Sequence, residues 1–298
     1  MSPGAVSMVP VYRQRDSALH SARAGVGAAF CCAFALVGGL YEHPLVLAAA
    51  LAGVLVASAA AGVGREVARS LKLSLPLALL VAVVNPLVYP EGDTLLVRGG
   101  EVLGRRLDVT LEAIAAGAFA GLRVVVCITA LGMLSAAVDP DDLLRLFRRI
   151  SYRSALSASL ATRLVPVLAR DATRMGEAAR CRPVPPSRLA AVRAALAAAL
   201  ERSTEVAAAL EVRGYSLAGR PQPAPRPWSR HDLRVAAAAV MVATCAVAAK
   251  VTGAGWVEPY PRLELAFGPM EALLALALLG CAAFPFAGRA AQLGVARA

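Results

Sequence analysis

Two stretches of this chain, Ala24–Leu40 and Leu45–Val63, contain no charged residue. That feature limits the fold more than any motif does. An apolar run of about 17–25 residues matches the hydrocarbon thickness of a bilayer, where the backbone must satisfy its own hydrogen bonds. Each run therefore reads as a transmembrane helix. Four more runs follow at Leu73–Tyr89, Ala113–Val138, Val235–Val251 and Met270–Ala287. A signal peptide competes for the first run, but no small-x-small cleavage site follows it; Tyr41-Glu42-His43-Pro44 does.

The predicted fold class is all-α, a polytopic membrane protein of about six transmembrane helices. The predicted organisation is a four-span N-terminal transmembrane block over 1–138, a cytoplasmic helical region over 139–214, a linker over 215–232 and a C-terminal transmembrane pair over 233–298. Composition agrees: 58% of the 298 residues are hydrophobic, against about half in a soluble domain.

Charge sets the expected orientation. Of the 31 basic residues, 17 lie between Asp139 and Arg234, and basic loops beside apolar spans mark the cytoplasmic side. Arg13, Arg15 and Arg23 in the N-terminal lead agree with this, as do Arg65, Arg69 and Lys72, read as a cytoplasmic loop. Arg289 and Arg297 place the C-terminus on the same face. The chain is thus expected in the cell membrane, multi-pass, with both termini cytoplasmic. Pro90–Thr110 alternates apolar and polar residues around Gly99-Gly100, the pattern of a small outer hairpin. Trp256 and Tyr260 read as interfacial anchors of the last outer loop. A net charge of +11 invites a nucleic-acid reading, but the basic residues sit in membrane-flanking loops. Aromatics make up only 5%, which leaves no stacking platform for bases.

The usual catalytic signatures are missing. Cys31, Cys32, Cys127, Cys245 and Cys281 fall in apolar runs and Cys181 stands beside Arg182, with no C-x-x-C among them. His20, His43 and His231 are scattered, so no metal site is expected. Neither lysine, Lys72 or Lys250, follows a phosphate-binding glycine loop, so the chain is not expected to hydrolyse ATP itself. Asp139-Pro140-Asp141-Asp142 is compatible with a membrane-embedded Mg²⁺-dependent enzyme acting on a diphosphate. A helix start explains the same residues: Asp139 as N-cap, Pro140 at the first position and acids at the positive end. No second acidic cluster supports the enzyme reading. Arg123 lies near the middle of the fourth span, where a charge is costly unless paired or functional. Both roles stay open, because no obvious carboxylate stands opposite.

Between Tyr152 and Gly214 lie two Ala-rich, Arg-studded helices too polar to cross a membrane. The first, Ser154–Arg182 with a bend at Pro166, ends on Arg182-Pro183; the second, Ser187–Arg213, ends on Arg213-Gly214. Pro183 cannot continue a helix and Gly214 suits a left-handed terminus. Arg182 and Arg213 are thus expected at helix tips, at the negative end of each dipole. In the second helix Leu189, Val192, Leu196, Leu200 and Leu210 form an apolar stripe, with Arg193, Glu201, Arg202 and Glu205 expected elsewhere. Taken alone, the pair reads as an ordinary helical hairpin.

These helix ends resemble the transmembrane T component of energy-coupling-factor transporters, the CbiQ-like permease family, whose cytoplasmic coupling helices end in two Ala-Arg-Gly-type motifs. Ala209-Leu210-Glu211-Val212-Arg213-Gly214-Tyr215 departs from that pattern only at Val212. Glu177-Ala178-Ala179-Arg180-Cys181-Arg182-Pro183 keeps the frame, with Cys181 and Pro183 in place of Ala and Gly. Asn85-Pro86-Leu87, Gly92-Asp93-Thr94-Leu95-Leu96 and Ser159-Leu160-Ala161-Thr162-Arg163-Leu164-Val165-Pro166 extend the likeness over roughly residues 10–235. The resemblance implies a pair of long crossed coupling helices inserted after the fourth span. It also implies a non-enzymatic subunit whose Arg182, Arg213, Gly214, Cys181 and Val212 form the docking sites for two cytoplasmic P-loop ATPase subunits. ATP and Mg²⁺ would be bound by those partners, so no cofactor is expected in this chain. A small membrane S component would carry a vitamin or Ni²⁺/Co²⁺. The two C-terminal spans exceed the family's five-span pattern.

Overall fold

The computed structural model describes residues 17–88, 95–97, 101–102, 105–106, 109–147, 152–183, 187–214, 227–253, 257–258, 264–265 and 268–287. Arg13 and Arg15 of the N-terminal lead, Gly92–Thr94, Gly99-Gly100, the 215–226 part of the linker, Trp256, Tyr260, Arg289 and Arg297 lie outside them. The helices are α1 (Ala18–Ser21), α2 (Ala24–Leu40), α3 (Pro44–Ala60), α4 (Gly64–Val88), α5 (Leu111–Ala137), α6 (Pro140–Phe147), α7 (Tyr152–Arg180), α8 (Arg188–Val212), α9 (Arg230–Val251) and α10 (Pro269–Ala283), the last continued by a 3₁₀ turn, Phe284–Phe286. The protein is an all-α polytopic membrane protein. Four helices, α4, α5, α9 and α10 with its 3₁₀ turn, are long and apolar enough to cross a bilayer; α2 and α3 are apolar helices of 17 residues each.

Strand structure is confined to short antiparallel ladders. β1 (Leu95–Val97) pairs with β4 (Val109–Thr110), β2 (Glu101–Val102) with β3 (Arg105–Arg106), and β5 (Val257–Glu258) with β6 (Glu264–Leu265). In sequence, β2 and β3 both lie between β1 and β4, while the Gly99-Gly100 centre expected for the hairpin lies outside the described residues.

The chain divides into two compact units, residues 1–143 with 228–298, and residues 144–227. In the first, α4 and α5 make the broadest contact. Glycine permits it: a Cβ at Gly117 would lie 2.6 Å from the Ala82 carbonyl oxygen, and one at Gly121 2.8 Å from that of Ala78. Lipid supplies no hydrophobic drive between helices, so close backbone approach and dispersion do the work. α2 packs on α5 and α9, and α3 on α10. Phe30 and Phe34 meet edge to face at 5.3 Å in the middle of this core, closed in with Val37, Leu47, Val54, Met133 and Leu278.

Two polar links join the C-terminal helices to the N-terminal ones. The buried Tyr41 hydroxyl, just past α2, donates to the Ala246 carbonyl of α9 at 2.6 Å. At the other end of α2, the buried Asp232 accepts from the Arg23 backbone N–H at 2.7 Å and from that of Ser229 at 2.9 Å. One carboxylate thus serves the N-termini of two helices, where negative charge is favoured. The Arg23 guanidinium lies 4.9 Å from the Trp228 ring centroid. The last two apolar helices are therefore packed into the same unit as the first.

Two helix limits differ from expectation. α4 starts at Gly64, so Arg65, Glu66, Arg69 and Lys72 lie on helix, not in a loop. The breaker is Gly62, whose φ of 78° ends the preceding helix, and nothing between Gly64 and Leu73 interrupts helix formation. The third span, Leu73–Tyr89, is also expected to break late at Asn85-Pro86, but the helix runs through Pro86 to Val88. A late proline removes one hydrogen bond, which a closely packed neighbour makes tolerable.

Candidate functional site

Within the 144–227 unit, α7 keeps its helix through Pro166 and stops at Arg180, two residues before the expected end. Cys181, Arg182 and Pro183 follow outside the helix, all exposed, with the Arg182 N–H still donating to the Ala179 carbonyl at 3.3 Å. Pro183 disfavours helical geometry in the residue before it, which is why Arg182 leaves the helix. α8 begins on Ser187, whose hydroxyl accepts from the Ala190 N–H at 3.3 Å. It ends with Arg213 as C-cap and Gly214 at φ 73°, the left-handed conformation that glycine adopts without strain. Val212 is 89% exposed and Arg213 is exposed, while Gly214 is half-buried. The 25 residues of α8 separate the two arginine-bearing ends by roughly 37 Å of helix at ~1.5 Å per residue. They are two sites, not one.

Four residues of the expected apolar stripe of α8 share an exposed face, and the fifth, Leu210, lies on the half-buried side. Leu189, Val192, Leu196 and Leu200 are 61%, 56%, 59% and 67% exposed. The half-buried side is Ala195, Ala199, Arg202, Val206 and Leu210. On α7 the half-buried residues are Leu164, Val167, Asp171, Met175 and Ala179, again at three- and four-residue steps. Arg202, expected on the polar face, instead donates from Nη2 to Asp171 Oδ2 at 3.1 Å. Alanine lets two helix backbones approach and leucine does not, so the side with small residues became the contact. The spacing of Ala195, Ala199, Arg202, Val206 and Leu210 carried that signal; ranking residues by size hid it.

In the transmembrane unit, Arg123 of α5 is fully engaged. Its Nη1 donates to Glu42 Oε1 at 2.8 Å, its Nε to the Gly38 carbonyl at 3.2 Å and its Nη2 to the Gly39 carbonyl at 2.7 Å. The partner carboxylate sits in the turn between α2 and α3, outside any apolar run, which is why inspection of the spans missed it. The guanidinium closes the carboxyl end of α2, taking two of its last carbonyls where a cation suits the dipole. The Asp139 carboxylate is used locally: its Oδ1 accepts from the Asp141 N–H at 2.9 Å, at the start of α6. Among the described residues no group of three or more His, Cys, Asp and Glu is placed to hold a metal ion.

The chain belongs to the CbiQ family, described as cobalt transport protein, whose model matches residues 15–224. The match takes in α2 to α8 and both arginine ends, and stops short of α9 and α10. No curated protein matches the chain.

Proposed function

We propose that this chain is the transmembrane coupling subunit of an energy-coupling-factor importer in a prokaryotic cell membrane, with both termini cytoplasmic. Arg182 and Arg213 each enter a groove on one of two cytoplasmic P-loop ATPase subunits and meet acidic residues there. Cys181, Val212 and Gly214 shape the two ends. ATP, with its Mg²⁺, closes the ATPase pair, and the closure pulls on α7 and α8. A small membrane S component, resting on the exposed Leu189-Val192-Leu196-Leu200 row, then tips and releases a vitamin or Ni²⁺/Co²⁺. The observation that carries this reading is the pair of exposed arginines at two separated helix ends inside the family-matched region.

Magnitudes favour tips over scattered charge. An exposed ion pair contributes only about 0–1 kcal/mol. Truncating an arginine that is desolvated and hydrogen-bonded in an interface costs about 2–5 kcal/mol, because its partner is left unpaired. Arg213→Glu is therefore expected to abolish ATPase co-purification and substrate uptake while membrane insertion is retained. Normal assembly and uptake in that variant would refute the assignment.

A further inference from the structure

The two Arg-tipped helices are joined by an unusual seam. Its middle position is a charge pair, Asp171 on α7 and Arg202 on α8, at 3.1 Å, flanked on both helices by Leu164, Val167, Met175, Val206 and Leu210 or by alanines. Arg174 adds a second cation, its Nη1 4.0 Å from Asp171 Oδ1. The large aliphatic side chains that normally fix helix register, Leu189, Val192, Leu196 and Leu200, are turned away from this seam. Alanine and small aliphatic contacts are nearly the same after a slide of one turn. A charge pair is not, since sliding α8 by one turn would leave Asp171 and Arg202 each facing an apolar neighbour. A polar pair in an otherwise apolar seam is the known means of specifying one register.

We infer that Asp171 and Arg202 are positioning residues that lock the register of α7 against α8, and so fix how the Arg182 end stands relative to the Arg213 end. Neither side chain lies at a docking tip. Their role is to make a pull on one helix move the other. This rests on the coupling-subunit reading for its consequence in transport, and on geometry alone for the register itself.

The test uses the full chain co-expressed with its ATPase and S partners and reconstituted in vesicles, with Asp171→Arg, Arg202→Asp and the double swap. Each single variant is expected to retain ATPase co-purification and to lose about tenfold in ATP-driven uptake, within the range of coupling between contacting residues; the swap is expected to recover most of it. In parallel, spin labels at Gly176→Cys and Ser203→Cys, with the exposed Cys32 and Cys181 replaced by Ser, report the α7–α8 distance in the purified chain. The single variants should broaden or shift that distance and the swap should restore it. Uptake and distance unchanged in the single variants would overturn the lock, as would a loss that the swap does not repair. Should the wild-type chain bring down no ATPase, the docking reading fails, and the distance measurement still decides the lock.

Discussion

In the transmembrane unit Phe30, Phe34, Val37, Tyr41 and Leu47 close a core off from the surface, while Leu79 and Leu80 of α4 and Leu273 and Leu276 of α10 are more than half exposed, as a face toward lipid would be. In the 144–227 unit Val165, Leu189, Val192, Leu196 and Leu200 are more than half exposed. Both units are helical and rich in alanine, so helix formation does not distinguish them. What differs is where each chain segment spends its bulk. The first unit fills its own interior, and its helices are tied by Tyr41, Asp232 and Arg123. The second holds itself together by a narrow seam in which alanines, Leu164, Val167, Met175, Val206 and Leu210 flank one charge pair, and it leaves the Leu189-Val192-Leu196-Leu200 row exposed. A segment with few buried apolar contacts has low local stability, which suits the transmitting role proposed for it.

Three measurements would break or sharpen that contrast. The largest effect is expected from Phe34→Ala, which opens a hole beside Phe30 and Gly53 in the closed core. Even with no transfer term in lipid, the lost packing should cost about 2–4 kcal/mol, seen as a lower midpoint of thermal unfolding in detergent. An unchanged midpoint would mean the core is not the source of the unit's stability. A smaller effect is expected at Arg123 and Glu42. A double-mutant cycle with Arg123→Gln and Glu42→Gln should show a coupling of about 1 kcal/mol in denaturant unfolding, modest because both side chains are partly exposed. Strict additivity would separate the arginine from its carboxylate. The smallest effect on the fold is expected from Leu196→Ala, within about 0.5 kcal/mol of wild type because the side chain is more than half exposed. The same variant should weaken retention of the S component. A stability loss as large as that of Phe34→Ala would show that α8 buries this row after all.

Much of the fold was legible because its signals are local. Ser187 as N-cap, Asp139 ahead of Pro140 and Gly214 past Arg213 each act within four residues of a helix end, and each appears where the chain order puts it. The arginine ends were legible for the same reason, save that α7 gives up its last turn before Pro183. The start of α4 was misplaced because charged residues were taken to mark a loop, whereas Arg65, Glu66, Arg69 and Lys72 are good helix formers. Glu42 was missed because a search for a partner within apolar spans passes over a turn. Which side of α8 meets α7 was not legible, because periodicity shows that a stripe exists and says nothing about which stripe finds a neighbour.

By itself the sequence determined the solvent, the helices and their ends: uncharged runs long enough for hydrocarbon, and breakers beside two arginines. Only the tertiary structure decided that the alanine side of α8 is the inward one, that Glu42 answers Arg123, that α9 is tied to the ends of α2 through Asp232 and Tyr41, and that α10 packs on α3. The reason is range. A helix and its caps are written in contacts between residues three or four apart, while pairing between helices depends on how closely two backbones can approach, and residues distant in the chain set that distance.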